Sequence, residues 1–365
     1  MQVFVIQYCL YFEERSGFVE KKKMNKILKF FLILLISIIV IIVSAFATIN
    51  IILNNKLDKI NYITLPKEDV YIDEQVANDN NLNEYRNIAL LGIDAREDTF
   101  DVGNRSDCIM IISINNKTGE VKIASVYRDT YLDINGRGLD KVNHAYSFGG
   151  PALSISTLNK NLDLDITEFV AINFDTVRAA VDSVGGVSVT LDSQEVKYIN
   201  GYINALNNQF GTSSANITKP GTYNLDGTQA LAYSRIRYTD GGDYKRTERM
   251  RDVLMLTFNK AKSMGVGELN DLADTILPHI STNISKKEIK DIIPKVASYK
   301  VINNFGWPYN TKGYTGAAWY GVPVDLETNV KQLHKELFGQ ENYEVSKTVK
   351  EISESIITKT GYTAE

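Results

Sequence analysis

Between Phe30 and Leu53 the chain runs for 24 residues without a charged side chain (FFLILLISIIVIIVSAFATINIIL). As an α-helix this stretch is about 36 Å long, enough to cross a hydrocarbon core of about 30 Å with some tilt. It constrains the molecule more than any other feature, because it decides on which side of a membrane everything after it must fold. Residues 1–29 carry six basic groups (Arg15, Lys21, Lys22, Lys23, Lys26 and Lys29) against Glu13, Glu14 and Glu20, whereas residues 56–85 carry three lysines against seven acidic residues. A basic excess ahead of the run predicts a cytoplasmic N-terminus and an exported remainder. Ala45-Phe46-Ala47 has the spacing of a signal-peptide cleavage site, but Ile49, Ile51, Ile52 and Leu53 prolong the apolar run past it, which favours an uncleaved anchor. The expectation is a single-pass protein of the cell membrane: 1–29 cytoplasmic, 30–53 spanning, the rest extracellular. Met24-Asn25-Lys26 reads as a more ordinary start for such an anchor, so no function is expected of residues 1–23. Cys9 and Cys108 then fall on opposite sides, and the exported part must fold without an internal disulfide.

With 44% hydrophobic and 23% charged residues, the 365-residue chain is globular in composition, which excludes a disordered chain or a collagen-like repeat. A formal net charge of −4 argues against nucleic acid as a partner, and three histidines leave little room for a His-rich metal site. Residues 54–85 lack sustained periodicity and read as a stalk. After them, short apolar runs at Asn87–Ile93, Cys108–Ile114, Val121–Val126, Phe169–Phe174 and Val187–Leu191 predict strands. Helices are expected from Pro151 to 162, from an Asp175 cap to Val184, over 227–234 behind Asp226, and from Arg246 to Ala261. Ser285 and Glu288 have capping-box spacing. Strands alternating with helices predict an α/β fold, an α-β-α sandwich around a central mixed β-sheet, over residues 86–340, with 341–365 as a C-terminal tail.

No phosphate-loop, dinucleotide, nucleophile-elbow or metalloprotease motif is present. Asp and Arg residues instead gather at element ends. Asp94 closes the first strand, and Asp107 opens the second within Arg105-Ser106-Asp107. Neighbouring strand ends can bring two carboxylates onto one hard cation, though spacing alone favours the plainer reading of loop carboxylates capping backbone N–H groups. Arg128-Asp129 closes the third strand, where an isolated ion pair is the simpler reading. Residues 235–251 hold six basic groups against Asp240, Asp243 and Glu248. Arg235 and Arg237 share a face if the segment is extended, and Arg246 and Arg249 share a face near a helix start, which itself favours anions. Lys245 and Arg251 fit a solvated charged helix. Together these residues outline a site for a multiply charged anion such as a diphosphate, with a cation held by Asp.

Leu91-Gly92-Ile93-Asp94, Arg105-Ser106-Asp107, Ser125 to Thr130 (SVYRDT), Lys141 to Gly150 (KVNHAYSFGG), Val181 to Val187 (VDSVGGV), Leu225-Asp226-Gly227 with Ala230 to Tyr233, and the Arg cluster occur in an order that resembles the LytR-CpsA-Psr family of cell-envelope enzymes. The resemblance implies a Mg²⁺-assisted (or Mn²⁺-assisted) phosphotransferase. Such an enzyme moves a glycopolymer phosphate, as in teichoic acid or capsule, from an undecaprenyl-diphosphate carrier to the 6-hydroxyl of peptidoglycan N-acetylmuramic acid. By position it implies Asp94 and Asp107 as metal carboxylates and Arg128, Arg235, Arg237 and Arg246 as the diphosphate grip. Asp243 and Arg249 belong to the same substrate-binding segment, and Asp129 is a candidate base for the attacking hydroxyl. His144 is expected to be structural. Three residues depart from the family pattern: Tyr127 stands for a proline, Cys108 for a threonine, and Met250 for a glutamine, which would remove one phosphate contact. A diphosphatase without transfer and a membrane-bound regulator or glycan-binding protein are the alternative functions.

Overall fold

The computed structural model describes residues 47–95, 100 and 102–363, with the single positions 37, 41 and 44. The expected cytoplasmic segment and most of the expected span lie outside these residues. Residues 47–57 are helical, and among the described residues no helix is long and apolar enough to cross a membrane. Residues 56–365 form one compact unit.

In chain order this unit begins with β1 (Asn61–Tyr62), α1 (Glu74–Ala77), β2 (Tyr85–Ile93), β3 (Ser106–Asn115), β4 (Glu120–Val126), β5 (Tyr131–Ile134), β6 (Gly138–Lys141), α2 (His144–Leu162) and β7 (Glu168–Asn173). It continues through α3 (Phe174–Ser183), β8 (Val187–Leu191), α4 (Ser193–Phe210), β9 (Gly221–Leu225), α5 (Gly227–Ser234), α6 (Gly242–Lys262), α7 (Val266–Ile276) and β10 (Ile280–Thr282). The last elements are α8 (Lys286–Ile292), β11 (Lys300–Trp307), β12 (Thr311–Thr315), β13 (Trp319–Pro323), α9 (Leu326–Phe338) and α10 (Lys347–Thr360). Seven strands form a mixed sheet in the order β1-β10-β7-β2-β3-β4-β11, and the remaining strands pair as β5–β6, β8–β9 and β12–β13.

The sheet is covered on both faces, so its central strands read as continuous apolar runs and their side chains divide by alternation. Ala89, Leu91, Ile109 and Ile111 join one core with residues of α2, α9 and α10; Ile88, Cys108 and Met110 join the other with residues of α3, α4, α5 and α6. This is the expected sandwich around a mixed sheet. Asp226 caps α5 and Ser285 caps α8, each in a capping box, as expected. The α3 cap is Asn173 rather than Asp175: its side-chain Oδ1 accepts from Thr176 N, and the helix starts two residues earlier than predicted. Pro151 follows a break at Gly149 and Gly150 within α2, so the chain is already helical from His144.

Two boundaries differ from the sequence expectation. Residues 56–85 are not a free stalk: Leu57, Val70, Val76 and Leu82 are buried, and β1 adds a strand to the sheet edge beside β10. The segment lacks periodicity because its contacts are made singly, between turns. Residues 341–365 are not a tail either, since α10 buries Val349, Ile352 and Ile356 in the first core. Its entry is anchored where Asp163 accepts from Ser346 N (2.7 Å) and from the Tyr343 hydroxyl (3.2 Å). Ile356→Ala should therefore cost about 3 kcal/mol by opening a core cavity, read as a lower urea midpoint with unchanged slope.

Candidate active site

At the carboxyl ends of β2, β4 and β7, where open α/β sheets bind ligands, a cavity of about 290 Å³ is lined by Asp94, Asp107, Phe174, Tyr202, Arg235, Arg237, Tyr238 and Arg246. Local irregularities aim these side chains. Gly92 pairs with Cys108 and Ile93 with Ser106, so Asp107 is the extra residue of a β-bulge and leaves the in/out alternation of β3. A Cβ on Gly92 would lie 2.6 Å from the Cβ of Cys108, so only glycine permits this close pairing. At the start of α6, Gly241 and Gly242 both have positive φ (87° and 52°), which turns the chain so that Asp243 and Arg246 lie one helical turn apart at the cleft.

The charges form one network. Asp107 Oδ2 accepts from Arg128 Nη1 (2.6 Å) and Arg246 Nη2 (3.2 Å). Asp243 Oδ1 is shared by Arg246 Nη1 (3.2 Å), Arg128 Nη2 (3.3 Å) and, more loosely, Arg237 Nε (3.8 Å). Burial alone would raise the Asp107 pKa, but Arg128 and Arg246 outweigh it and hold the carboxyl below its usual range. Burial also opposes the charge on Arg128, and there Asp107, Asp243 and Asp129 win, so its pKa rises. Arg235 and Arg237 shift the other way. Burial lowers the pKa of both; Asp94 only partly restores Arg235, and Arg246 and Arg128 repel Arg237 further. Among the described residues Arg235 has no carboxylate within ion-pair distance, and its guanidinium lies 5.1 Å over the Phe174 ring. The two arginines short of counter-charge are therefore the two that line the cleft most openly, which is the arrangement an anion would complete.

Of the expected site residues, Asp94, Asp107, Arg235, Arg237 and Arg246 meet in the cleft, and Arg128 stands directly behind Asp107. Arg235 and Arg237 converge although the segment is not a strand: Arg235 has helical dihedrals at the end of α5. Three assignments change. Arg249 is only 1% exposed and is spent on Glu195 Oε1 (2.8 Å), the Ile236 carbonyl (3.2 Å) and Thr239 Oγ1 (2.7 Å), so it holds the Arg235–Arg237 segment in place and does not reach the cleft. Asp243 organises arginines; as a carboxylate it would repel a diphosphate. Asp129 does not line the cavity and is held by Lys141 Nζ (2.8 Å) and Arg128 Nε (3.5 Å). His144 pairs with Asp140 (2.9 Å) outside the cleft, as a structural residue would. Phe174, Tyr202 and Tyr238 were not singled out from sequence; only Phe174, at the end of a predicted strand, carried a positional signal.

The second face of the sheet holds an apolar chamber of about 400 Å³ between the strands and α3, α6 and α7. A neck of about 10 Å³ lies between it and the cleft: Phe174 belongs to cleft and neck, and Leu90, Ile172, Val177 and Leu254 belong to neck and chamber. Cys108 and Met250, two of the departures from the family pattern, both line this neck. Met250 therefore replaces an expected phosphate contact with an adaptable apolar wall, and burial pushes the Cys108 thiol up to about 12, far from reactivity. Arg251 is not solvated but buried in the chamber wall, donating to Asn304 Oδ1 (2.8 Å) and Ser125 Oγ (3.2 Å). Tyr127, the third departure, packs edge-on against Tyr244 with ring centroids 4.4 Å apart, while the turn behind Arg128 is held by Thr130 N donating to the Tyr127 carbonyl (3.0 Å).

Among the described residues no group of three or more His, Cys, Asp or Glu gathers as a metal site. Asp94 and Asp107 do line one cavity, and the Asp107 hydrogen bonds all fall on Oδ2. Two carboxylates facing an anion site suit a hard cation that completes its shell with phosphate oxygens and water, as Mg²⁺ does.

Fold and cleft together define an α/β domain with a guanidinium-lined cleft and an apolar annex. The LytR_cpsA_psr family model matches residues 47–337, and the chain belongs to that family. It is 33% identical over 253 residues, 67% of this chain and 72% of the relative, to the polyisoprenyl-teichoic acid–peptidoglycan teichoic acid transferase TagU of Oceanobacillus iheyensis. A solved structure of TagT bound to LI-WTA superposes with a TM-score of 0.58 at 28% identity, covering 76% of this chain and 98% of that one. Another, the family protein YwtF (TagT) with bound octaprenyl pyrophosphate lipid, superposes with a TM-score of 0.53 at 26% identity over 75% of this chain and 99% of that one.

Asp107→Asn tests the charge network. The depressed carboxyl contributes stability that is complete above the unfolded value of about 4 and is lost as pH falls through the lower folded value. The variant should lose about 3 kcal/mol at neutral pH, because two guanidiniums lose a buried partner, and the difference from the parent should shrink in acid denaturation.

Proposed function

We propose that this chain is a phosphotransferase that moves a glycopolymer phosphate from a polyprenyl-diphosphate carrier, undecaprenyl in chemistry, to the 6-hydroxyl of N-acetylmuramic acid in peptidoglycan. One observation carries the reading: a guanidinium-lined cleft shares walls with an apolar chamber, so one site offers both halves of a lipid diphosphate what they need. The teichoic acid transferases among its relatives and the lipid-bound neighbour support it. The acceptor hydroxyl attacks the sugar-side phosphorus, the P–O bond to the bridging oxygen breaks, and the prenyl monophosphate leaves. Arg235 and Arg237 bind the diphosphate oxygens and meet the charge that grows on the leaving phosphate. Arg246 and Arg128, fixed by Asp107 and Asp243, hold the field around them. The neck must widen to admit an isoprenoid tail, which the flexible Met250 and Leu254 side chains allow. Mg²⁺ held by Asp94 and Asp107 would supply further neutralisation of the diphosphate. The apolar run at 30–53 would keep the domain at the outer membrane surface, where the carrier is.

Incubating the purified full chain with lipid-diphosphate-linked glycan and peptidoglycan oligomers tests this reading. Sugar phosphate on the acceptor supports transfer; release of free phosphorylated glycan would point to the diphosphatase reading, and no turnover to a glycan-binding or regulatory protein. Arg235→Ala should lower turnover by about two orders of magnitude or more, as loss of one preorganised contact does, and an unchanged rate would sink the clamp. Chelation of divalent cations should slow the reaction, with recovery on adding Mg²⁺. Indifference to chelation would take Asp94 and Asp107 out of any metal role.

A further inference from the structure

The chamber has a second end. Asp107, the second residue of β3, stands at the cleft, and Ile114, next to its last, lines the chamber about 23 Å further along the strand. The wall at that end is built by Val296 and Tyr299, both only half-buried, so the apolar lining reaches solvent there; Tyr299 precedes Lys300, which pairs with Glu120 at the start of β4. The chain enters the domain beside the start of the segment that leads to this wall. β1 pairs in parallel with β10, Lys59 Nζ pairs with Asp274 Oδ1 of α7 at 2.7 Å, Lys56 also pairs with Asp274, and Asp58 pairs with Lys286 of α8. Lys56 follows Leu53, the end of the apolar run, by three residues, at most about 11 Å of extended chain.

The segment beside this opening has the composition of a surface that adsorbs to lipid. Residues 286–300 (KKEIKDIIPKVASYK) hold five lysines against Glu288 and Asp291. Lys287, Lys295 and Lys300 are exposed, and Ile293 is 45% exposed next to an exposed Pro294, while Val296 of the same turn faces the chamber. Exposed apolar residues flanked by lysines suit the headgroup boundary of an anionic bilayer better than water.

We propose that residues 286–300 dock onto the anionic phospholipid surface at which the apolar run 30–53 ends, so that the far end of the chamber opens onto the bilayer. This rests on the anchor and on the polyprenyl reading of the chamber. A carrier whose diphosphate is held by the arginines and whose tail runs through the neck into the chamber then has the end of its tail at the bilayer. Without docking, that end of the tail would face solvent, which apolar hydration opposes.

The test uses the full chain in nanodiscs of phosphatidylcholine with and without phosphatidylglycerol, in a Cys9→Ser background. A fluorophore is attached at Ile293→Cys or, as a control on the opposite face of the sheet, at Glu354→Cys. Lipid carrying a spin label near the headgroup should quench the Ile293 site several-fold more than the Glu354 site, and more with phosphatidylglycerol. Adding Lys287→Glu and Lys295→Glu should reverse the gain, since each lysine near an anionic surface is worth about fivefold in the docked population. Equal quenching at the two sites in discs that retain the chain through alkaline carbonate extraction would overturn the docking alone. Release of the chain by carbonate would overturn the anchor, and the docking geometry with it.

Discussion

Four guanidinium groups cannot sit together in a half-buried cleft unless something offsets their mutual repulsion, and the site depends on how that is done. Two carboxylates do it, each shared: Asp107 takes Arg128 and Arg246, and Asp243 takes Arg246, Arg128 and the edge of Arg237. The sharing is incomplete by design of the geometry. Arg128 and Arg246 are well compensated, and Arg235 and Arg237 are not. An anion entering the cleft supplies the missing counter-charge, so the same arrangement that lets the protein fold leaves a binding site behind. The bulge at Asp107 and the paired glycines before α6 are the backbone features that make the sharing reachable.

The sheet serves the lipid half of the proposed substrate in a different way. One face of the strands packs against α2, α9 and α10 as an ordinary core. The other face is held off by α3, α6 and α7, leaving a chamber whose wall includes a buried arginine, Arg251, satisfied by Asn304 and Ser125. Because charged cleft and chamber lie along the same strands, β2 and β3, polar head and apolar tail are aligned by the sheet itself. The neck between them is narrow, and two of the three residues where this chain departs from the family pattern, Cys108 and Met250, line it.

Most of the sheet was legible because buried strands must be apolar and helices must cap their first N–H groups. The strand runs at 87–93, 108–114 and 121–126 and the caps at Asp226 and Ser285 were visible for those reasons. Asn173 was missed as a cap because Asp175, two residues on, has equal capping chemistry, and only the backbone path chooses between them. The stalk and tail were misread because segments that bury one residue at a time have no period. In the site, the arginine cluster was legible as a charge anomaly, but spacing could not tell Arg249, turned inward to Glu195, from Arg246, three residues away on the same helix and facing Asp107.

The sequence by itself determined the layers, the apolar run ahead of them, and the presence of an Arg-rich cluster, because periodicity and charge are local properties. Tertiary structure alone decided which carboxylate each arginine meets, that Asp129 pairs with Lys141 and Arg128 outside the cavity lining, and that an apolar chamber exists at all. An apolar residue lining a cavity and one packed in a core have the same side chain. The difference is the position of the neighbour across the gap, and that is a property of the fold.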